Sequence, residues 1–397
     1  MNPPSFDSDF MANYVDWLSS DVSLAGLGGM LVFLSITLGG KVLISIIGRK
    51  RDLYTENPNE DLPSFSIIIP TYNESTRVIE KINRVAELNY QSNLLEVIFV
   101  DSSDDDTPRL IEESRGIIPF KSRIVDSPRK VGLAGALDKA FKLAENDILM
   151  KSDSDISMEP DVLKKFAIVF SDQSVGAACA CGTVKDPERE KFEVEYRKMK
   201  LEDRLNESLV DSTHIFDTVA CIRKEIFGGI PGDSWADDAE LAIQAVRYGK
   251  RAIVVPEIGF TEELPTGRKL RKIKSRRAAG HIRLMLQNLD LMFLGGARGY
   301  SRLVFPRILA MMTLCPILFF ASSGVMAYTS LQFLKFEEIA LLVLTVGFAL
   351  LVSRRIRMIS TSVVQVQSDL VIGMWILIQE YLRSKFSREK KIWEVIR

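Results

Sequence analysis

The chain has 397 residues, 47% of them hydrophobic, only 15 prolines and a formal net charge of −1, which supplies a full core and gives no bulk charge that would draw nucleic acid. That composition excludes a disordered or fibrous protein, and the length allows one large domain plus further segments. The four cysteines, Cys179, Cys181, Cys221 and Cys315, lack a zinc-type spacing and the two histidines, His214 and His281, do not complete a metal set, so the thiols read as ordinary apolar residues.

Residues 1–22 are polar and acidic, and 23–48 are apolar except for Lys41, with Arg49, Lys50 and Arg51 following. A bilayer span needs about 20 apolar residues, and Lys41 near one end can snorkel to the headgroups. A cleaved signal peptide would place positive charge before the apolar run. Here the charge follows it, which predicts an uncleaved anchor with residues 1–22 outside and the next domain in the cytoplasm.

A polar linker then leads into residues 60–265. Apolar strand-like runs at 66–69, 96–100, 122–125 and 148–150 alternate with helix-like segments near 74–88, 107–113 and 133–144, which predicts a Rossmann-like α/β domain with a mainly parallel sheet. In such sheets ligands sit at the carboxyl ends of the strands, where Pro70–Glu74, Asp101–Asp106 and Asp153–Asp155 all fall. No Gly-rich phosphate loop is present, which sets aside dehydrogenase and Walker-type sites. Asp153 and Asp155 follow the run Ile148, Leu149, Met150. In an extended chain, residues two apart project to the same side, so the two carboxylates are expected to share a hard cation, Mg²⁺ or Mn²⁺, that also meets substrate phosphates. A solvated acidic loop is the plainer reading of Asp-x-Asp alone, and the neighbouring clusters outweigh it.

Pro70, Thr71, Tyr72, Asn73 and Glu74, then Asp101, Gly132 to Asp138, and Asp153, Ser154, Asp155 together resemble glycosyltransferase family 2. The resemblance is to a minimal cellulose-synthase-like enzyme or one acting on polyprenyl phosphate or a lipid-linked glycan. It implies a GT-A fold in which Pro70, Thr71, Tyr72, Glu74 and Asp101 contact the nucleoside, Asp153 the ribose or diphosphate, and Asp155, with Asp153, the metal. Asp138 stands where Asn is commoner in the family. The run Trp235, Ala236, Asp237, Asp238, Ala239, Glu240, Leu241 resembles the family's Glu-Asp-x-x-Leu pattern, with Asp237 in place of the usual Glu. By that alignment Asp238 is the catalytic base, and Asp237 and Trp235 lie on the diphosphate or acceptor side. Helix capping by an Asp-Asp pair, worth under ~1 kcal/mol, is compatible with both roles.

Residues 266–300 carry Arg268, Lys269, Arg271, Lys272, Lys274, Arg276 and Arg277 and read as basic amphipathic helices at the membrane surface, each charge worth ~1 kcal/mol against anionic lipid. The segment resembles the place where related membrane enzymes have Gln-x-x-Arg-Trp. Arg276 fits the Arg and is expected to meet the diphosphate, whereas Arg277 and Ile273 replace the Trp and Gln. Two further spans are expected at 303–331 and 337–353. Residues 358–397 then form an amphipathic interface helix and basic tail, too polar and too short in apolar run to cross.

These features predict an inverting transfer from a nucleotide-diphosphate sugar to a membrane-presented acceptor, a polyprenyl phosphate or lipid-linked glycan, with membrane lipids as partners and no nucleic acid. By resemblance the donor is GDP-mannose first and UDP-glucose next, in an integral protein of a prokaryotic plasma membrane. A processive polysaccharide synthase is disfavoured by three spans and the missing Trp. A non-catalytic nucleotide-sugar-binding scaffold is disfavoured by the joint presence of Asp101, Asp153, Asp155 and Asp238.

Overall fold

The structure, a computed structural model, describes residues 21–48, 51–58, 61–187, 191–263, 267–293, 295, 299–333 and 354–386. Helix α1, Asp21–Leu34, runs through a π-helical turn, Ser35–Gly39, into α2, Gly40–Gly48. The sheet is built from strands β1 (Phe65–Thr71), β2 (Leu95–Asp101), β3 (Lys121–Asp126), β4 (Ile148–Lys151), β5 (Ser157–Met158), β6 (Val175–Val184), β7 (Ala220–Arg223) and β8 (Arg251–Glu262). These eight form one sheet among the described residues, in the order β3-β2-β1-β4-β7-β6-β8-β5.

The β3-β2-β1-β4 half is parallel, with Ile67 level with Val97 on one side and Met150 on the other. Helices α3 (Val78–Ala86), α4 (Thr107–Ser114) and α5 (Gly132–Leu143) provide the crossovers that parallel pairing requires. The run Ile67, Ile68, Ile69 explains why this half is central: alternate side chains point to opposite faces, so Ile67 and Ile69 enter one core with Phe99 and Met150, and Ile68 enters the other with Ile98 and Leu149. A strand apolar on every residue is stable only when covered on both faces. Strand β7 then pairs antiparallel with β4 and β6, so the sheet is mixed in its second half. All four cysteines are buried as free thiols.

Helix α6, Val162–Ser171, backs the sheet, and α7, Lys191–Val210, lies between it and the apolar helices. Helix α8, Asp237–Arg247, starts beside the end of β4. Helix α9, Gly267–Gln287, holds the basic cluster, and α10, Phe305–Phe333, and α11, Arg354–Phe386, complete the described elements. Segments Leu24–Gly48 and Tyr300–Thr329 are long and apolar enough to cross a membrane, and Leu31, Leu38, Ile317 and Tyr328 are exposed along them. Helix α1 packs on α10 through Gly26, where a Cβ would lie 2.9 Å from Val325 Cγ1. Lys41 forms ion pairs with Glu202 at 2.9 Å and Asp203 at 3.4 Å on α7.

Helix α11 is amphipathic. Asp369, Leu370 and Gln367 are buried, with Ser275 Oγ of α9 donating to Asp369 Oδ1 at 3.4 Å, while Val371, Trp375, Ile378 and Leu382 form an exposed apolar stripe. The expected span at 337–353, the N-terminal segment up to residue 20 and the tail after 386 lie outside the described residues.

Candidate active site

The carboxyl ends of β1, β2 and β4 bring three loops together. Thr71 Oγ1 donates to Asp101 Oδ1 at 2.6 Å, and Ser103 donates to the same carboxylate from its Oγ at 2.7 Å and its backbone N–H at 3.0 Å. Asp101 is buried and braces β1 to β2, because a desolvated carboxylate is tolerated only where donors surround it. Asn73, at φ 55°, turns the chain after Tyr72; its N–H donates to Ser103 Oγ at 2.8 Å and its side chain accepts from Asp104 N–H at 3.0 Å. The Arg129 guanidinium stands 5.3 Å from the Tyr72 ring centroid and pairs with Asp104 at 3.2 Å. Thr71, Tyr72 and Asp101 thus come together in one loop cluster at the ends of β1 and β2.

The Asp-x-Asp segment departs from the expected extended form. Strand β4 ends at Lys151, and Asp153 to Asp155 lie in a turn, with Ile156 N–H donating to Asp153 O at 3.3 Å. Strand alternation therefore does not govern these side chains. They are nonetheless close: burial and the Asp153 charge both push the Asp155 carboxyl up, against its own backbone bond and the opposing charge of Lys81. Glu74 is also raised, by burial first and by Asp155, while Ser154 hydrogen-bonds it and lowers it.

Asp153 Oδ2 accepts from Thr218 Oγ1, but its Oδ1 is buried without a hydrogen-bond partner. A carboxylate oxygen with no hydrogen bond, its nearest cation Lys151 Nζ at 3.6 Å, next to a second, exposed carboxylate is a donor set that fits Mg²⁺ or Mn²⁺. Among the described residues no group of three or more His, Cys, Asp or Glu could form a closed cage. A cation here would be held by Asp155 and Asp153 and completed by substrate phosphates and water.

Two lysines that the sequence reading passed over support this turn. Lys81, on the apolar face of α3 with Val78, Ile82 and Val85, is buried and donates to Ser152 Oγ at 2.8 Å and to Ile156 O at 3.1 Å. Burial lowers its pKa to about 8, and Asp153 and Asp155 oppose the fall. Lys151, 3% exposed, donates to Asp237 Oδ2 and to Asp238 Oδ1, the latter at 2.7 Å, and lies 3.6 Å from Asp153 Oδ1. Burial disfavours its charge, yet Asp153, Asp237 and Asp238 together hold it well above the ordinary lysine range. The signal in the sequence was a charged residue closing an otherwise apolar strand.

Asp237 and Asp238 occupy the first turn of α8, where the helix dipole favours anions. Asp237 is held below the usual carboxylate range: burial opposes this, and Lys151 prevails. Asp238 is raised by burial, with Asp237 and Asp153 adding repulsion that Lys151 only partly offsets. The loop before α8 is held by Asp138, whose Oδ1 accepts from Ile230 N–H at 2.9 Å, and by Gln244, which bonds Gly228 N–H at 2.7 Å and Gly229 O at 2.8 Å. Gly229 has φ 109°, a conformation that only glycine adopts readily. Asp138 thus positions the loop before α8.

Helix α9 covers this side. Gly280 lets it approach, since a Cβ there would lie 2.8 Å from Trp235 O, and Arg283 sits 5.9 Å from the Trp235 ring centroid. Arg277, next to the expected Arg276, feels the charges of the site carboxylates. Burial works against its charge, and Glu262, Asp238, Asp217 and Asp153 hold it protonated. Its side chain is solvent-accessible. Arg276 is exposed on α9.

Residues 66–230 match the profile of the family described as Glycosyl transferase family 2. An N-acetylglucosaminyltransferase of Mesorhizobium japonicum is 33% identical over 123 residues, and a dolichol-phosphate mannosyltransferase of Pyrococcus furiosus is 31% identical over 100 residues. These cover 30% and 25% of this chain, and each alignment spans 28% of the relative. The mannosyltransferase PcManGT from Pyrobaculum calidifontis, solved in complex with GDP-Man and Mn²⁺, superposes with TM-score 0.71 at 23% identity, covering 93% of this chain and 100% of that one. The profile match over β1 to β7 and the shared fold agree with the site's three converging loops: this chain carries a family 2 glycosyltransferase domain with a GT-A fold.

Proposed function

We propose that the protein is an inverting membrane glycosyltransferase that moves a sugar from a nucleotide-diphosphate sugar to a hydroxyl of a membrane-presented, lipid-linked acceptor. One observation carries the reading: the Lys151 ammonium touches Asp238 at 2.7 Å and reaches Asp153 at 3.6 Å, so a candidate base and the phosphate-binding turn flank one cleft.

Nucleoside binding falls to Pro70, Thr71, Tyr72, Glu74 and Asp101, and the diphosphate lies between the Asp153–Asp155 turn and Arg277. Asp155 and Asp153 would hold a divalent cation, which when bound would supply charge stabilisation for the leaving diphosphate. Asp238 takes the proton of the acceptor hydroxyl. The freed oxygen attacks the anomeric carbon on the face opposite the diphosphate, and the single displacement inverts that centre. A raised carboxyl pKa suits this role, since a base works best near the operating pH.

GDP-mannose is the first donor to test and UDP-glucose the next, a choice motivated by the GDP-Man complex of the structural neighbour. A polyprenyl phosphate acceptor, suggested by the dolichol-phosphate mannosyltransferase relative, is the second reading. Its phosphate oxygen is already ionised and would not need Asp238. Positive residues at Arg51 and Arg302 flank the two apolar segments, which argues for a cytoplasmic catalytic domain in a prokaryotic plasma membrane. The test is release of GDP or UDP from a panel of nucleotide sugars by detergent-solubilised protein, with a lipid-linked glycan, with polyprenyl phosphate and with neither. Release stimulated by the glycan supports the reading. Stimulation by polyprenyl phosphate alone moves it to the second, and release with no donor ends it.

A further inference from the structure

Position 151 is the last residue of a strand buried on every residue, between Ile68 of β1 and Ala220 of β7. An apolar side chain would fit there at no desolvation cost, whereas a buried ammonium is tolerated only when anions surround it. Its contacts are distributed in a particular way. They join the β4 turn, through Asp153, to the first turn of α8, through Asp237 and Asp238. These two elements are more than 80 residues apart, at sequence separations of 86 and 87 for the two α8 contacts. Lys151 Nζ donates to Asp238 Oδ1 at 2.7 Å, and the Asp238 side chain is 25% exposed.

We infer that Lys151 is a positioning residue for transfer: its ammonium fixes the Asp238 carboxylate relative to the phosphate-binding turn, so that the acceptor oxygen and the anomeric carbon meet in line. The inference rests on the reading of Asp238 as the base. The geometry explains why a lysine is needed. Asp237 and Asp238 repel each other, and a lone carboxylate at a helix start rotates freely about its side-chain bonds. One donor shared by both carboxylates offsets part of the repulsion and ties the Asp238 carboxylate to the end of β4. The cost of a misplaced base is large in such reactions, because a shift of about 1 Å forfeits roughly 10²-fold in rate. Lys151 touches no reacting atom in this scheme. It acts through Asp238.

The test is a double-variant cycle on the full chain in detergent, with Lys151→Met, Asp238→Asn and both together. Two readouts are taken: single-turnover sugar transfer, and nucleotide-sugar binding by calorimetry. Lys151→Met is expected to slow transfer about 10- to 100-fold with donor affinity within about threefold of the parent, and to add less than about twofold when Asp238 is already Asn. Lys151→Gln keeps an amide donor and uncharged polarity, and is expected to fall between the parent and Lys151→Met. It also serves where Lys151→Met does not fold. Transfer within about twofold of the parent in a folded variant, or losses that multiply in the double variant, overturns the positioning role. Failure of both Lys151 variants to fold would assign the residue to the core instead, and equally overturns it. Survival of activity in Asp238→Asn alone defeats the base reading, so the two failures are told apart.

Discussion

Arg307 of α10 and Glu207 of α7 are buried against each other, with Nη1 3.0 Å from Oε1. Thr213 Oγ1 donates to the other Glu207 oxygen at 2.7 Å, so the carboxylate is fully engaged. Burial raises the Glu207 pKa to about 7 even though Arg307 lowers it. This pair and the Lys41 ion pairs fasten both apolar helices to the same helix of the catalytic domain. Arg307→Met should therefore cost about 3–5 kcal/mol, the usual result of stranding one half of a buried pair. Thermal unfolding in detergent measures it, and Glu207→Gln added to Arg307→Met should recover most of the loss. Equal stability of the single and double variants would contradict this.

Asp238→Asn keeps the size and most of the hydrogen bonding of the side chain but cannot take a proton. Transfer should fall by about 10²- to 10⁴-fold while donor affinity changes little. A helix cap alone would predict survival, because Asn caps nearly as well as Asp. Asp237→Asn should cost less, since it acts through the charge felt by Asp238 and Lys151. A larger loss from Asp237→Asn in single-turnover assays would reverse the two assignments.

Removal of divalent cations with EDTA should stop donor turnover, and Mn²⁺ or Mg²⁺ should restore it. Asp155→Asn should raise the cation concentration needed for half-maximal turnover by about 10-fold or more, as loss of a charged ligand does. Undiminished turnover in EDTA is the contrary outcome.

Arg277→Ala should weaken nucleotide-sugar binding by about 10- to 100-fold, the range for one charge-assisted bond to a phosphate. Arg276→Ala should have a smaller effect. Calorimetric titration of both variants with the preferred donor decides between them, and a larger effect at Arg276 would place the diphosphate on the other side of α9.

His214 is buried and His281 half-buried, with their ring centroids 6.3 Å apart, and the Tyr300 hydroxyl lies 2.8 Å from His214 Nδ1. Burial depresses both pKa values to about 3; the opposite ring adds to the effect at His214, and Lys200 and Arg277 add to it at His281. Both rings are thus neutral in the fold and protonated in the unfolded chain below about pH 6.5. Their contribution to stability is complete above that pH and is lost as pH falls toward 3, at up to about 1.4 kcal/mol per pH unit for each ring. The melting temperature in detergent should drop between pH 7 and pH 5, and His214→Gln should flatten the slope. A melting temperature constant over that range would count against the neutral pair.

The sequence by itself determined the strands and the loops at their ends. Ile67 to Ile69, Val97 to Val100 and Ile148 to Met150 are apolar without alternation, a pattern that only a strand covered on both faces satisfies, and β1, β2 and β4 lie there. Once those strands run parallel, their carboxyl ends must share one edge, so Thr71, Asp101 and Asp153 converge whatever the rest of the fold does. What only the tertiary structure decided is which side chains fill the space between the loops. A strand ending in Lys151 and a helix beginning with Asp237 and Asp238 are separate local facts, and their union depends on β7 folding back beside β4. Likewise, the basic run on α9 offers several cations at every helical phase, and the packing of Gly280 on Trp235 sets the phase at which Arg277 feels the site carboxylates. Local sequence fixes backbone shape, because that depends on neighbours along the chain; charge pairing across the cleft depends on distances set by packing of distant elements.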